Sequence, residues 1–178
     1  IEQDGWVDRL ADGGTYGDED TLAGRLALEW RASDSLNALF TVDYSDSDNT
    51  PAPQITTGAV VGLGSPCAPF CIPIPTDIND QVSPSFYDTW AGAEPINEIE
   101  TFGTSLTVDW DLDVVTLKSI TAYRELDQFS TADYDVTTYV FYDDEIPLTQ
   151  EQYSQEFQLS GTAMEGRMTW LTGVFWYK

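Results

Sequence analysis

Carboxylate side chains lie close together at several points of the sequence, and their spacing is the feature best suited to metal or acid chemistry. Calcium takes about six to eight oxygen ligands, often from a turning loop. A run such as DDE offers some of these oxygens, but no complete D-x-D-x-D-G signature is present. We therefore predict no dedicated metal site and expect a solvated acidic surface, with Ca²⁺ as the ion that the acidic loops would hold. The close groups are Asp18-Glu19-Asp20, Asp46 with Asp48, Asp133 with Asp135, and, as the candidate Ca²⁺ ligands, Asp143, Asp144 and Glu145.

A catalytic set is missing from the sequence. Histidine is absent, which removes the commonest general base and zinc ligand. Serines are plentiful, but no G-x-S-x-G nucleophile motif occurs. A pair of acids of the glycosidase kind stays open, because the spacing of such a pair in space does not follow from its spacing in sequence. The sequence therefore predicts a protein that is not an enzyme, with no resident cofactor.

The two cysteines, Cys67 and Cys71, lie in the proline-rich segment PCAPFC. With no histidine in the chain, this spacing gives poor support for a metal site. We predict a local disulfide, formed in an oxidising compartment such as the periplasm or the cell surface. Two free thiols in a reducing cytosol are the alternative.

Aromatic side chains gather in two segments without strand periodicity. Loop residues of this kind contact ligands in many proteins, and in many others they only pack the loops together. Both interpretations are open here, and loop packing is the commoner of the two. The candidates for ligand contact are Phe86, Tyr87, Trp90, Tyr139, Phe141 and Tyr142.

The charge balance excludes one class of partner. Lys and Arg number 7 against 31 Asp and Glu, for a net charge of −24. Such a chain repels phosphates, so a nucleic-acid function is not expected. Its 42% hydrophobic and 13% aromatic content argues against a disordered acidic tail. No run of 18 apolar residues exists, so a membrane-spanning form would have to be a β-barrel.

Period-two alternation places most of the remaining residues on β-strands. It is clearest at residues 153–160, which lead through a turn between Gly161 and Gly166 into an aromatic segment at 168–178. This pair is predicted to be a hairpin, and similar hairpins are predicted around residues 32–35 and 111–113. Each arm is long enough to cross a bilayer, which takes a tilted strand of about 9–11 residues.

One face of each predicted strand is apolar. Leu26, Phe40, Val108 and Phe157 are expected on these faces, in contact with acyl chains. The strand that follows residue 113 has two possible facings. We predict that its Lys118 and Arg124 point away from the apolar face, because a lysine at the lipid midplane costs about 2–4 kcal/mol.

Connections of two lengths alternate along the sequence. Short ones are predicted at residues 32–35, 111–113 and 161–166, and long ones after Leu10, Ser45 and Asp127. For the last of these, the alternative is that its first part extends the preceding strand. Residues 46–100, which hold most of the prolines, are predicted to be one long surface loop. We also expect both ends of the sequence to cut through strands.

Five segments of the predicted strands are characteristic: GWVDRL, GDEDTLAGRLALEWRASDSLNALFTVDYS, LKSITAYREL, QEQYSQEFQLSG and GRMTWLTGVFWYK. These segments resemble the barrel domain of TonB-dependent outer-membrane receptors. The resemblance implies an all-β fold, namely an antiparallel up-and-down transmembrane β-barrel segment with short periplasmic turns and long extracellular loops. It implies that residues 1–178 are a partial barrel, that residues 46–100 are an extracellular loop, and that the plug, the TonB box and the remaining strands are not in this sequence.

The function implied by the resemblance is uptake across the cell outer membrane of a siderophore, cobalamin or glycan-like solute. The implied partners are outer-membrane lipid and lipopolysaccharide, the imported small-molecule ligand, and the TonB complex through parts of the protein that are not in this sequence. A secreted or cell-surface acidic β-protein that binds calcium or self-assembles is the alternative. Its apolar faces would be buried between sheets or between subunits. A soluble hydrolase has the weakest support.

Overall fold

The computed structural model describes residues 1–51, 53–55, 57 and 80–178, and this part of the chain is all-β. The strands are β1 (Glu2–Gln3), β2 (Val7–Arg9), β3 (Thr15–Tyr16), β4 (Glu19–Arg31), β5 (Leu36–Asn49), β6 (Asp88–Thr89), β7 (Asn97–Asp111), β8 (Val115–Asp133), β9 (Asp143–Ala163) and β10 (Met168–Tyr177). Among the described residues, no helix has the length and apolar character that a bilayer crossing requires.

The strands form two sheets. The larger has the order β1-β4-β5-β7-β8-β9-β10, and the smaller has the order β3-β2-β6. Pairing is antiparallel between β1 and β4, β9 and β10, and β2 and β3, whereas β2 and β6 are parallel. The predicted all-β, mostly antiparallel fold is confirmed. The larger sheet has β1 and β10 at its edges, so the described residues do not form a closed barrel.

The short turns lie close to their predicted places. Residues 32–35 join β4 to β5 as predicted, and residues 112–114 join β7 to β8. The turn before β10 was predicted too early, since it is formed by residues 164–167 and Gly161 lies inside β9. Gly161 pairs with Trp170 across the hairpin, and a Cβ on Gly161 would come within 2.9 Å of the Trp170 ring. This glycine accommodates an indole in the strand and does not end the strand.

The long connections are shorter than predicted. Strand β8 continues to Asp133 and β9 starts at Asp143, so only residues 134–142 connect them. Strands β1, β2 and β3 occupy part of the segment predicted as a strand end and loop, and β6 lies inside the predicted loop at 46–100. Strands β3 and β6 were missed because backbone pairing does not require an alternating apolar pattern in the side chains, whereas β1 and β2 lie in the segment predicted as a strand end.

The chain divides into two compact units. Unit 1 comprises Ile1–Thr21, Ser47–Glu98 and Phe129–Pro147, and unit 2 comprises Leu22–Asp46, Ile99–Gln128 and Leu148–Lys178. Unit 1 has a small core in which Val7, Tyr16, Ala91 and Val136 are buried. Thr89 in the same unit is fully buried, and its hydroxyl donates to the carbonyl of Gln54 at 3.1 Å.

One face of unit 2, called here the polar face, carries hydroxyls and ion pairs. The hydroxyls of Thr41 and Ser105 lie 2.7 Å apart, which joins β5 to β7. Lys118 Nζ lies 3.2 Å from an Asp109 oxygen, and Arg124 Nη1 lies 3.8 Å from an Asp43 oxygen. Lys118 and Arg124 therefore lie on the side of the sheet opposite Tyr123, as the sequence predicted.

A glycine between the two outer partners makes the longer ion pair of the polar face possible. Asp43 is on β5 and Arg124 is on β8, with β7 between them. A Cβ on Gly103 of β7 would come within 2.6 Å of the Asp43 carboxylate.

The opposite side of unit 2, called here the apolar face, holds most of the large hydrophobic residues of β4, β5, β7 and β9 at alternate positions. It also holds a hydrogen-bonded polar group, in which Ser119 and Thr121 contact Gln155. The Tyr123 and Tyr153 rings have centroids 4.6 Å apart on this face, and Val174 pairs with Phe157. Its members remain exposed: Leu26 is 52%, Phe40 40% and Phe157 46% exposed, whereas Val108 is half-buried. The described residues of unit 2 therefore do not enclose this face.

The core of unit 1 gives a first prediction. Val7→Ala removes two methyl groups from a residue that is 1% exposed, so we expect the free energy of unfolding of unit 1 to fall by about 1–3 kcal/mol. The measurement is hydrogen exchange of the Trp6 amide, which donates to the Tyr16 carbonyl at 2.9 Å.

The matched control is Val140→Ala, the same chemical change at a residue that is 83% exposed. We expect this control to leave exchange at Trp6 unchanged. Equal effects of the two variants would contradict the placement of the core.

Candidate ligand-binding site

Unit 1 contains a cavity of about 320 Å³, called here the unit-1 cavity. Side chains from five stretches of the chain meet there: the end of β3, the residues after β5, the residues after β6 with the start of β7, the end of β8 with the residue after it, and Ile146 of β9. It is lined by Tyr16, Pro51, Pro53, Gln54, Ala91, Ala93, Glu94, Pro95, Asn97, Ser130, Thr131, Ala132, Asp133, Tyr134 and Ile146.

Tyr16 forms the buried wall of the cavity. Its hydroxyl donates to the Ala93 carbonyl at 3.0 Å, which ties β3 to the segment after β6. Burial raises the pKa of Tyr16 to about 12, an effect that the nearby Arg9 opposes. The Arg9 guanidinium lies 5.5 Å from the centre of the Tyr16 ring and pairs with Asp12 at 2.9 Å. Tyr16 is therefore an uncharged phenol at neutral pH.

Asp133 holds the cavity edge together through backbone amides. One of its carboxylate oxygens accepts from the amides of Gly92 at 2.8 Å and Ala93 at 3.3 Å, and the other accepts from Val136 at 2.6 Å. Val136 has a φ of 55°, in the left-handed region that β-branched residues avoid. Its bond to Asp133 and its burial hold it in that conformation.

Asp135 organises the short connection between β8 and β9. One of its oxygens accepts from the amide of Thr137 at 3.1 Å and from its hydroxyl at 2.5 Å. The other oxygen accepts from the amides of Phe141 at 3.1 Å and Tyr142 at 2.8 Å. These four bonds fold residues 135–142 around one carboxylate.

Asp143 completes a group of three carboxylates with Asp133 and Asp135, whose nearest oxygens all lie within 4.8 Å of one another. Burial raises the pKa of Asp143, and the charges of Asp133 and Asp135 raise it further. One oxygen of Asp143 is buried without a hydrogen-bond partner among the described residues. Three side chains are few for calcium, and two of them already bind backbone amides. The group therefore fits the role of organising the connection better than that of a metal centre.

The three candidate calcium ligands do not lie together in one site. Asp143 joins the group of three carboxylates, whereas Asp144 and Glu145 are exposed residues of β9 outside that group. The carboxylate pair Asp133 and Asp135, noted in the sequence for its spacing, supplies the other two members. Cys67 and Cys71 lie outside the described residues, so the disulfide stays a prediction.

The six aromatic candidates all lie in unit 1, but none of them lines the unit-1 cavity. Phe86 is exposed, and Tyr87 packs edge-on against Trp6 with ring centroids 6.2 Å apart. Trp90 is half-buried, and its indole nitrogen finds no acceptor among the described residues. The Tyr139 ring packs against Phe141, with centroids 5.6 Å apart.

Tyr142 contributes to the cavity indirectly. Its ring packs on that of Tyr134, with centroids 5.0 Å apart, and its carbonyl accepts from the Tyr134 amide at 3.0 Å. Tyr134 itself lines the cavity. Loop packing thus accounts for the three aromatic pairs in unit 1, and ligand contact by the six candidates stays a hypothesis.

Sequence reasoning missed most of the cavity lining. Tyr16 falls in a glycine- and aspartate-rich stretch that was assigned to a loop, and nothing in its spacing links it to Ala93 or Tyr134. Many other lining residues are Pro, Ala, Ser or Thr, which carry no chemical signature. The carboxylate-tyrosine-carboxylate sequence at 133–135 was the only local signal.

Three comparisons with known proteins gave no match: no family model, no curated protein and no solved structure resembles the chain closely enough to be reported. The resemblance to TonB-dependent receptors therefore stays a prediction from the sequence.

Asp143 gives a prediction about pH. A raised pKa means that the folded protein holds this proton more tightly than the unfolded chain does, so the free energy of unfolding decreases as pH rises from the usual aspartate pKa to the raised one. Asp143→Asn removes the titrating carboxyl group and therefore this decrease in the free energy of unfolding. We expect it to raise the free energy of unfolding at pH 7 by about 0.2–1 kcal/mol and to have less effect at pH 3.

Urea unfolding at the two pH values measures the effect of Asp143→Asn. Asp144→Asn is the matched control, because it makes the same change one residue away and outside the group of three carboxylates. A larger gain from Asp144→Asn, or destabilisation by Asp143→Asn at pH 7, would show that the cluster does not repel Asp143 as the geometry indicates. Destabilisation by Asp143→Asn only when Ca²⁺ is present would instead favour a bound ion.

Proposed function

We propose that the chain is part of an outer-membrane TonB-dependent receptor that imports a scarce small-molecule ligand, and that it is not an enzyme. The observation that carries the proposal is the apolar face of unit 2. Its large side chains alternate along β4, β5, β7 and β9, and most of them remain exposed over the described residues. Alternating faces of this kind are typical of strands that have lipid on one side and water on the other.

The free energy gained by burying apolar side chains favours a cover over the apolar face. Burying one large apolar side chain is worth about 1.5–3 kcal/mol, and this face carries many of them. Large contiguous apolar patches on proteins mark contact with a membrane or with another protein. Lipid would cover the whole face without requiring a complementary surface.

The polar face of unit 2 supports the same proposal. Its ion pairs and the contact between Thr41 and Ser105 lie on the side opposite the apolar face, where a transmembrane strand would meet a wet lumen. A lysine and an arginine on the lipid side would be costly, and both are on this polar side. The unit-1 cavity and the exposed aromatic residues of the longer connections would then capture the ligand, before a plug movement driven from the inner membrane.

The alternative function is self-assembly of a secreted or cell-surface protein, and β10 is the observation that favours it. β10 is an edge strand with exposed apolar residues on both sides, including Leu171 and Phe175 on one side and Val174 and Trp176 on the other. An apolar edge strand is a template for pairing with another strand. In the receptor that partner is a further strand of the barrel, and in the alternative it is a second copy of the chain.

A pair of cysteine variants tests which medium meets the apolar face. Leu26→Cys places a thiol on that face, and Ala27→Cys places one on the polar face of the same strand; both are made with Cys67→Ser and Cys71→Ser. In isolated outer membranes we expect a membrane-impermeant maleimide to label position 27 at least about tenfold faster than position 26, because thiolate forms poorly in lipid. A lipid-soluble maleimide should reach position 26.

The control is the same labelling after solubilisation and denaturation, where the two thiols should react equally. Fast labelling of both positions by the impermeant reagent in membranes would refute the transmembrane placement. Protection of position 26 in a protein recovered without lipid or detergent, as an oligomer, would support self-assembly.

A further inference from the structure

We propose that the unit-1 cavity binds a small organic cation, meaning an ammonium group on a compact apolar body. The inference rests on the proposed function only where it takes this cation to be the imported solute. The cavity and its charges belong to unit 1 alone and do not depend on the medium that covers unit 2.

Charge is the first argument for a cation. The charged groups that line the cavity are the carboxylates of Glu94 and Asp133, and neither lysine nor arginine is among the described lining residues. Asp135 and Asp143 add two carboxylates within 4.8 Å of Asp133. The Arg9 guanidinium lies against Tyr16 and donates to the Ala93 carbonyl at 3.5 Å, but its charge is paired with Asp12 at 2.9 Å. The local field therefore attracts a cation and repels an anion.

The acidic groups have different roles in this field. Asp133 accepts three backbone amides, so its carboxylate contributes charge while it holds the fold of the cavity edge. Glu94 is exposed at the cavity and is the carboxylate that an incoming ammonium can approach most freely. The raised pKa of Asp143 is consistent with the negative field that these groups create.

Aromatic rings supply a second contact suited to an ammonium. Tyr134 lines the cavity with a ring that is about half exposed and is held by stacking on Tyr142. The face of an aromatic ring attracts a cation within about 6 Å of its centre. The chain already makes this contact once, where Arg9 lies over Tyr16. An ammonium placed between Tyr134 and Glu94 would meet both kinds of attraction.

Size and polarity limit the rest of the ligand. A volume of about 320 Å³ lies at the lower end of the range for ligand sites, about 300–1,000 Å³. Pro51, Pro53, Pro95 and Ile146 give the cavity apolar wall area for methyl or methylene groups. A compact alkylammonium fits these requirements, and a large or anionic metal complex does not.

Three probes that share a compact head of three methyl groups and differ in charge test the proposal. They are choline, the neutral 3,3-dimethylbutan-1-ol and the anionic 3,3-dimethylbutanoate, and binding is followed by saturation-transfer NMR on the full-length protein in detergent. We expect choline to bind at least about fivefold more tightly than the neutral alcohol, and the carboxylate to bind most weakly. Raising NaCl from about 0.05 to 0.5 M should weaken choline binding and leave the alcohol unchanged.

Two variants locate the site. Glu94→Gln should weaken choline binding about threefold or more without changing binding of the alcohol, because it removes one charge and keeps the shape. Glu98→Gln is the matched control, an exposed glutamate that does not line the cavity, and should leave both affinities unchanged. Tyr134→Ala should weaken choline binding as well.

The outcomes separate this inference from the proposed function. Equal binding of the three probes, tighter binding of the alcohol or the carboxylate, absence of choline binding, or equal effects of Glu94→Gln and Glu98→Gln would each overturn the cation site. Choline binding that depends on Glu94, in a protein whose position 26 is labelled by the impermeant maleimide, would keep the cation site and remove the receptor. Protection of position 26 in outer membranes, in a protein that does not bind choline, would keep the receptor and remove the cation site.

Discussion

The alternation of side chains along a strand is the constraint on which unit 2 depends. Successive residues point to opposite faces, so a strand that puts Leu26 on one side must put Ala27 on the other. Repeated over neighbouring strands, this periodicity separates the hydrophobic residues from the ion pairs of Lys118 and Arg124. It leaves a face that needs a cover, and the described residues of unit 2 do not supply one.

Unit 1 is held together in a different way. Its core of four buried hydrophobic side chains is small. Hydrogen bonds from backbone amides to carboxylates supply much of the remaining stabilisation. Asp133 and Asp135 together accept from seven donor groups on nearby residues. A carboxylate that accepts hydrogen bonds from several amides stabilises the fold more than an unpaired surface carboxylate does, because hydrogen bonds to a charged acceptor are stronger. The acidic composition thus has structural uses beyond solubility.

Periodicity made the strands of unit 2 predictable, including the facing of Lys118, because each apolar position there repeats every second residue. The strands of unit 1 carry no such pattern, and β6 has only two residues. Gly161 was read as part of a turn because glycine is common in turns, although its role is to make room for Trp170. The cavity could not be predicted, because it depends on contacts such as that between Tyr16 and Ala93, 77 residues apart in the chain.

The nine residues that connect β8 to β9 are already ordered by the side chain of Asp135 and by the packing of Tyr142 on Tyr134. Tyr134, the residue of this connection that lines the unit-1 cavity, therefore has little conformational freedom left to lose when a ligand binds against it. The rate of ligand association would then be set by diffusion and charge, and the residence time of the ligand by how quickly its contacts break. An exposed loop of the same length without the Asp135 carboxylate would bind its ligand more slowly, because it would have to fold first.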